Sequence, residues 1–258
     1  MTVRFVTWNI DGLNERSLDE RTEAAVFTAI LGARLDELHA GTAKPKSPPD
    51  VIVFQEVVAH TYKAHLSQHL PAGGYTVLPA TVPDRQNFEV IAFREPYFLG
   101  RHVEERLVDS QFGRVLHIVD LLDASGNTVR VLTGHFDSGK DSGKIRSAQL
   151  AQMAGYLTTG TPGVFGGDAN LRKAEWESAR DVLGVVDAWE ALGQLSSTRY
   201  TWQRDEYKAR FDRVFVNNGW TPKSMAPLGS SDLPGLGTTI SDHIGLLVEL
   251  ETAGLPAL

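Results

Sequence analysis

The chain has 258 residues, no cysteine and a formal net charge of −7. Apolar residues make up 42% of it, which is enough for a sizeable core without covalent staples. The lack of cysteine excludes disulfides, thiolate metal sites and cysteine nucleophiles, and is typical of a reducing compartment. The acidic balance argues against a general nucleic-acid coat protein, but not against an enzyme that binds a few nucleotides locally.

We expect a soluble, cytoplasmic protein that folds as one domain over residues 1–258. No apolar run approaches the roughly 20 residues that a membrane-spanning helix needs. The opening "MTVRFVTWNIDG" has a strand pattern and lacks the apolar segment of a signal peptide. No repeat, low-complexity tract or linker divides the chain into two domains. We also predict a monomer without a membrane partner.

The first half of the chain predicts strands and helices in alternation. The segment "VRFVTWNI" alternates in side-chain pattern and ends at the turn signal "DG", as a strand does. "VIVFQEV" is a short apolar run of the buried-strand type. Helices are predicted over 18–39, where Ala24, Phe27, Leu31, Leu35 and Leu38 recur on one face, and around 60–69, and a Pro/Lys loop is predicted at 41–50.

The second half of the chain is richer in strands. A helix is predicted over 144–158, with Leu150, Met153, Ala154 and Leu157 as its apolar stripe. "GVFGGDAN" forms a strand and its tip, and a Gly/Ser/Pro-rich loop fills 227–242. Further strands are predicted at 75–79, 88–94, 102–107, 113–122, 128–135, 211–217 and 243–251. Many strands with three or four helices indicate a layered α/β or α+β domain with two sheets.

Five of the predicted strands carry polar side chains at one end. Each of these groups has an ordinary explanation, such as a turn residue, a solvated strand end or a hydrogen-bonded core histidine. Five such coincidences in one chain favour a functional site held by rigid strands. The groups are Asn9 with Asp11, Glu56, His135, Asp168 with Asn170, and Asp242 with His243.

The chemistry of these side chains suggests what they share. Carboxylates and carboxamides are hard oxygen ligands that suit Mg²⁺ or Mn²⁺ better than zinc. Mg²⁺ takes one or two protein carboxylates and leaves its other positions to water and phosphate oxygens. Two histidines can stabilise a pentacovalent phosphorus from the other side. The set therefore predicts metal-assisted hydrolysis of a phosphate ester.

The motifs, in this order, resemble those of the endonuclease/exonuclease/phosphatase superfamily, which has the DNase I-like fold. The resemblance runs from about Val3 to Glu251, and within the superfamily it is strongest to the tyrosyl-DNA phosphodiesterase 2 family. The motifs are "TWNIDGL" (7–13), "FQEV" (54–57), "GHFDS" (134–138), "RSAQL" (146–150), "GGDANLR" (166–172), "DAWEALG" (187–193), "RYTW" (199–202), "RFDRVF" (210–215) and "SDHIGLL" (241–247). The resemblance implies an α/β four-layer sandwich, in which two mixed β-sheets are flanked by helices.

The resemblance also implies a role for each polar residue. Glu56 would be the principal ligand of Mg²⁺, for which Mn²⁺ would substitute, and Asn9, Asp11 and Asp242 would complete the metal environment. Asp168 would deprotonate the attacking water, and Asn170 would bind a phosphate oxygen. His243 and His135 would stabilise the transition state, and Asp212 would hydrogen-bond His243.

Four further residues are expected to bind substrate. Arg172 would lie near the scissile phosphate or the leaving group, and Trp202 would form a wall of the groove. Ser138 and Arg146 follow the histidine strand, and Arg146 with Lys140 and Lys144 would form a basic lip in an acidic protein. The alternative for residues 139–144 is a solvated mobile loop.

The activity implied is hydrolysis of a 5′-phosphotyrosyl bond on DNA or RNA, which leaves a 5′-phosphate and serves DNA repair. The partner would be a single-stranded or end-frayed nucleic acid. Three alternatives stay open, namely an abasic-site or single-strand nuclease, a phosphatase of nucleotides or lipid headgroups, and an inactive binding module on this fold. Two features depart from the eukaryotic family pattern. Asp137 stands where those members carry Glu, and an N-terminal ubiquitin-binding region is missing, so we expect no ubiquitin partner.

Overall fold

Two six-stranded mixed sheets form the centre of the computed structural model, which describes residues 1–33, 47–229, 232–233 and 236–252. In the first sheet one neighbouring pair, β1 with β2, is parallel, and the other neighbours are antiparallel. Its strands are, in spatial order, β13 (Trp220–Leu228), β16 (Gly245–Thr252), β1 (Thr2–Asn9), β2 (Val51–Val57), β4 (Phe88–Arg94) and β3 (Tyr75–Leu78).

The second sheet has the same size and also one parallel pair, β7 with β8. Its strands are, in spatial order, β5 (Phe98–Arg106), β6 (Val115–Leu122), β7 (Thr128–Gly134), β8 (Gly163–Asp168), β12 (Asp212–Val216) and β9 (Val186–Asp187). Two small hairpins extend the loops, β10 (Trp202–Arg204) with β11 (Tyr207–Ala209), and β14 (Asp232–Leu233) with β15 (Thr238–Thr239).

Helices cover the outer face of each sheet. On the first sheet lie α1 (Leu18–Leu31), α2 (Ala59–Thr61), a π-helical turn (Tyr62–Leu66) and α3 (Ser67–Ala72). On the second lie α4 (Gly143–Leu157) and α5 (Lys173–Ala179), while α6 (Ala188–Ala191) lies at the margin of the space between the sheets. The order helix, sheet, sheet, helix confirms the predicted four-layer sandwich.

The layers are held by three apolar clusters. The central one fills the space between the sheets and contains Phe5 and Val53 from the first sheet and Val131 from the second. The other two lie between each sheet and its helices. Within the described residues, no helix is both long and apolar enough to cross a membrane.

The paired glycines of "GGDAN" let β8 pack unusually close to its neighbours. A Cβ atom on Gly166 would lie 2.3 Å from Phe5 Cε1, and one on Gly167 would lie 2.2 Å from the carbonyl oxygen of Gly134. Glycine is therefore required where the second sheet meets the first just below Asp168. Gly166 thus brings the two sheets together at the edge that carries the polar tips, and Gly167 lets β8 lie close to β7 within the second sheet.

The predicted helix over 18–39 is partly wrong. Helix α1 ends at Leu31, where Gly32 has left-handed backbone (φ 57°), and the positions of Leu35 and Leu38 lie outside the described residues. Phe27 and Leu31 are exposed, and the buried apolar positions are Ala25, Val26 and Ala29. The helix packs on the sheet through its smaller apolar residues. The pattern of large apolar residues therefore predicted the wrong face.

Strand β13 was missed by the sequence analysis, because Pro222 and Pro227 argue against a strand. It lies at the edge of the first sheet, where a missing backbone N–H can face away from the neighbour. Helix α5 was missed as well, and it begins where the Glu175 carboxylate accepts the backbone N–H of Arg172 at 2.9 Å. The apolar stripe predicted for 144–158 is confirmed, since its four residues are buried in α4.

Candidate active site

The polar strand tips converge at one edge of the sandwich. Tips from the first sheet carry Asn9 and Glu56, and those from the second carry His135 and Asp168. Asp11, Glu56 and Asn170 have left-handed backbone, with φ of 50°, 56° and 49°. Non-glycine residues in this region cost about 1–3 kcal/mol each and concentrate at functional sites. Three residues with strained backbone therefore lie where the polar tips meet.

Glu56 is aimed by an irregularity in its strand. The register between β2 and β4 shifts between Phe54 and Val57, which is how a bulge redirects a side chain at a sheet end. The preceding turn passes so close that a Cβ on Gly12 would lie 2.0 Å from the carbonyl oxygen of Glu56. The glycine of "TWNIDG" therefore serves this close approach.

Asp168 occupies the middle of the site. Its Oδ2 atom lies 3.2 Å from His135 Nε2 and 3.8 Å from His243 Nε2, and it accepts a hydrogen bond from Asn9 Nδ2 at 3.1 Å. Burial alone favours the neutral acid, but the charges of His135, His243 and Arg114 hold the pKa of Asp168 well below its usual range. The carboxylate is therefore ionised.

His243 is held by a buried carboxylate on its far side. Its Nδ1 donates to Asp212 Oδ2 at 2.7 Å, and its backbone N–H donates to Ser241 Oγ at 3.0 Å. Burial lowers the pKa of His243, but the nearby charges of Asp212, Asp168 and Asp242 outweigh it and raise the pKa to about 10. An imidazolium whose Nε2 faces the Asp168 carboxylate is placed to donate to phosphate oxygens.

The acidic side of the site lies next to Asn9, whose Oδ1 accepts the backbone N–H of Asp11 at 3.0 Å. Burial, the charge of Asp242 and, to a smaller extent, that of Glu56 raise the pKa of Asp11 to about 6. Arg21 Nη1 lies 3.5 Å from Asp11 Oδ2 and compensates part of the charge. Clustered carboxylates that oppose one another's ionisation are what a bound cation stabilises.

The donor set fits a hard divalent metal. Glu56, Asp11 and Asp242 offer oxygen atoms, as does the Asn9 carboxamide, and these suit Mg²⁺ or Mn²⁺. Among the residues that the structure describes, the ligand oxygens of these three carboxylates do not all lie within 4.8 Å of one another. One or two direct carboxylate ligands, with water and phosphate in the other positions, agree with this spacing.

Two substrate-side residues predicted from "NLR" and "YTW" stand next to each other. The Arg172 guanidinium lies over the Phe211 ring, 4.3 Å from its centroid, and the Trp202 ring is 5.2 Å from the same ring. Trp202 Nε1 also donates to Asp242 Oδ2 at 2.9 Å, which fixes a predicted metal neighbour. Asn170 is buried and donates to the carbonyl of Phe136 at 3.2 Å.

Arg146 does not reach the surface, which corrects its predicted place in a basic lip. Its side chain is fully buried and forms a bidentate ion pair with Glu175, with distances of 2.9 and 2.6 Å. Lys140 and Lys144 are exposed, as expected. Ser138 is half-buried, and its carbonyl accepts from Ser142 Oγ. Arg146 thus holds α4 against α5 and supports the loop from within.

The sequence analysis missed two side chains near the centre. Arg114 donates to the Phe136 carbonyl and its charge lowers the pKa of Asp168. Gln55 is buried beneath the site, where its Nε2 donates to Thr133 Oγ1 at 3.0 Å and to Thr7 Oγ1 at 3.2 Å. An amide one residue before Glu56 in an otherwise apolar strand was the available signal for Gln55.

A cavity of about 610 Å³ opens beside Arg172 and Phe211. Sequence spacing gave no sign of it, because distant segments contribute its walls. Its aromatic walls include Trp189 and Tyr200. Its charged lining consists of Arg172, Lys173, Arg180, Arg199, Lys208, Arg210 and Arg213, with Glu177 and Glu190 as the acidic members.

Comparison with known proteins agrees with this fold. The sequence model of the Endonuclease/Exonuclease/phosphatase family matches residues 6–243, and the chain belongs to this family of metal-dependent hydrolases. The chain is similar to tyrosyl-DNA phosphodiesterase 2 of Gallus gallus, with 30% identity over 266 residues that cover 96% of this chain and 66% of that protein. The Mus musculus protein of the same name is 29% identical, with the same coverage. The chain thus spans about two thirds of the length of these relatives.

Two solved structures are similar over almost the whole chain. The crystal structure of D. rerio TDP2 complexed with single strand DNA product superposes with a TM-score of 0.79 at 26% identity, covering 97% of this chain and 99% of that one. Truncated Caenorhabditis elegans TDP2 superposes with a TM-score of 0.80 at 25% identity, covering 97% of each chain. The family predicted from the motifs is therefore confirmed.

Proposed function

We propose that the protein is a metal-dependent phosphodiesterase that hydrolyses 5′-phosphotyrosyl bonds on single-stranded or end-frayed DNA and leaves a 5′-phosphate. The observation that carries the proposal is the position of the ionised Asp168, between His135 at 3.2 Å and His243 at 3.8 Å. A base beside two potential donors is the arrangement that hydrolysis of a phosphodiester needs. The names of the similar proteins support the choice of substrate.

Glu56 would hold Mg²⁺, and Asp11, Asp242 and Asn9 would complete its surroundings directly or through water. When bound, the ion supplies Lewis-acid stabilisation of a phosphoryl oxygen. The hard-oxygen donor set and the raised pKa of Asp11 support a divalent cation at this place.

The residues of the chain account for the rest of the chemistry. Asp168 Oδ2 takes the proton of the attacking water, while Asn9 Nδ2 keeps the carboxylate oriented. His243 Nε2 and His135 donate to the phosphate oxygens on which charge accumulates. The leaving group is a phenolate, and the pKa of the corresponding phenol is about 10. It is therefore stable enough to leave without a dedicated general acid. The lack of a need for a general acid agrees with the roles proposed for His135, His243 and Arg172, which stabilise negative charge.

The surroundings of Arg172 suit a single strand. Trp202 and Phe211 offer faces on which a base can stack, which contributes about 1–3 kcal/mol per base. The cavity beside Arg172 is lined by more basic than acidic side chains, in a chain of net charge −7. Local positive charge in an acidic protein favours a nucleic-acid backbone there.

The cysteine-free composition supports a reducing, cytoplasmic location. We further propose that the protein acts as a monomer, for which sedimentation at several concentrations is the test. An apparent mass that rises with protein concentration and falls again on dilution would contradict it.

The substrate is tested with matched 5′-tyrosyl and 3′-tyrosyl oligonucleotides and a plain single strand, resolved on a gel in the presence of Mg²⁺. We expect cleavage of the 5′ adduct to a 5′-phosphate, and loss of this activity in excess EDTA. Glu56→Gln should abolish most of it, while the exposed Glu15→Gln should not. Preference for the 3′ adduct, or internal cutting of the plain strand at a comparable rate, would favour the nuclease alternative.

A further inference from the structure

A second cluster of metal-ligating side chains lies on β5 and β6 of the second sheet, and β6 is the neighbour of β7, the strand that leads to His135. His117 on β6 stands directly opposite Glu104 on β5, and His102 precedes Glu104 by two residues on the same face. One ligand atom from each of the three residues lies within 4.8 Å of the other two. The proposed activity uses none of them.

The distances within this cluster match those around a tetrahedral metal ion. His102 Nε2 lies 3.1 Å from His117 Nδ1, which in turn lies 3.8 Å from Glu104 Oε1. Two bonds of about 2.1 Å that meet at the tetrahedral angle place their ligand atoms about 3.4 Å apart. The observed separations bracket this value. The two nitrogens face each other along the line between ring centroids that are 5.4 Å apart, so both rings must turn before their lone pairs meet at one ion.

Outer partners already orient the ligand atoms. His117 Nε2, on the far side of the ring from the cluster, lies 3.4 Å from Glu89 Oε2, and both side chains are almost completely buried. The other oxygen of Glu104 accepts from Arg85 Nη2 at 2.6 Å, which leaves Oε1 turned toward the histidines. A carboxylate behind a ligating histidine is the usual support of a protein zinc site.

We propose that His102, Glu104 and His117 form a binding site for Zn²⁺ or a similar transition-metal ion, separate from the oxygen-rich site at Glu56. Two imidazoles and a carboxylate are a zinc donor set, whereas Mg²⁺ prefers oxygen alone. Glu104 is a third exposed and His102 half-buried, so the fourth position faces solvent and takes water. His117 is buried and pairs with Thr133 of β7, so it ties the proposed site to the core.

A second group, Glu23 with His65 and His69, provides an internal control. It also meets the 4.8 Å criterion, but it lies on the helical surface. The side chains of Glu23 and His69 are about half and a third exposed, so the core does not hold these ligands in place. We expect weaker zinc binding there.

The test measures zinc binding to the full chain by calorimetry, with ZnCl₂ titrated in excess Mg²⁺ so that the oxygen-rich site stays filled. We expect one tight equivalent in the parent and in His69→Gln. Binding should weaken at least tenfold in His102→Gln and in Glu104→Gln. Glu89→Gln should weaken it about 10–100-fold, as removal of an outer partner does. Circular dichroism confirms that each variant is folded.

Crystals of the parent soaked in ZnCl₂ give a second measurement that needs no variant. We expect an anomalous peak about 2.0–2.2 Å from His102 Nε2, His117 Nδ1 and Glu104 Oε1. No tight zinc in the parent, equal loss in His69→Gln, or unchanged binding in His102→Gln would overturn the proposal. The cluster would then be a hydrogen-bond network only.

Discussion

Asp212 Oδ2 lies 2.7 Å from His243 Nδ1, and this buried contact joins the two sheets. Asp212 begins β12 of the second sheet, and His243 precedes β16 of the first. Because Nδ1 donates to the carboxylate, Nε2 is the atom that faces Asp168. The contact therefore fixes the direction of the imidazole and stabilises its charged form.

Asp212→Asn should lower the pKa of His243 from about 10, because the opposing carboxylate no longer offsets the effect of burial. The imidazolium would then be lost at lower pH, so the pH optimum of hydrolysis should move downward. An NMR titration of the metal-free protein measures the pKa directly. Asp19→Asn, next to His60 and His65 on the surface, is the control and should leave His243 unchanged. An unaltered His243 titration in Asp212→Asn would refute the pairing.

Asp168→Asn should lower kcat by at least the ~10²–10⁴ that a positioned base contributes. The fold should be retained, since the side chain lies at a strand tip and Asn keeps its shape. Steady-state kinetics on a 5′-tyrosyl oligonucleotide give the measurement, and the exposed Asp181→Asn serves as the matched control. Activity within threefold of the parent would place the base elsewhere.

The polar residues that the sequence analysis singled out lie together in the structure, whereas several of the predicted elements were wrong or missed. Asp168, His135 and His243 were singled out because each is a polar residue at the end of an apolar strand and belongs to a short motif. Both signals can be read directly from the sequence. The pairing of Asp212 with His243 was implied by the family resemblance, and the structure places them 2.7 Å apart. Direct metal contacts could not be predicted, because spacing in the chain does not fix distances across two sheets.

The errors have physical causes. Arg146 was assigned to the surface from its charge, but its partner Glu175 lies 29 residues away in a helix that the pattern did not reveal. The exposure of Phe27 and Leu31 shows that periodicity identifies a helix without fixing which face packs. Strand β13 was hidden by its prolines, which only an edge position tolerates.

We assign Trp202 two separable roles: its ring is the proposed wall of the substrate groove, and its N–H donates to Asp242. Trp202→Phe keeps an aromatic face but loses this donor, so we expect a weaker apparent affinity for Mg²⁺ with little change in KM for a tyrosyl oligonucleotide. Trp202→Ala should raise KM for the oligonucleotide much more than for a p-nitrophenyl ester. Equal effects on both substrates would show that the ring does not contact the nucleic acid.

Gly166→Ala should destabilise the protein by about 1–3 kcal/mol, the usual cost of overpacking. The new Cβ would lie 2.3 Å from Phe5 Cε1 and 2.9 Å from Thr7 Cβ, so the sheets must move apart. Gly155→Ala in α4 is the matched control, because a Cβ there meets nothing within 4 Å. It should stabilise the helix by roughly 0.5–1 kcal/mol. Urea unfolding compares the two, and equal midpoints would contradict the close sheet contact.

The central claim is that the polar edge hydrolyses a phosphodiester held between the metal side and the histidine side. A crystal structure of Asp168→Asn with Mg²⁺ and a short 5′-tyrosyl single strand tests it most directly. We predict an ion bound at Glu56 and the scissile phosphate within hydrogen-bond distance of His135 and His243. A scissile phosphate bound in the cavity beside Arg172, away from both histidines and the ion, would contradict the account.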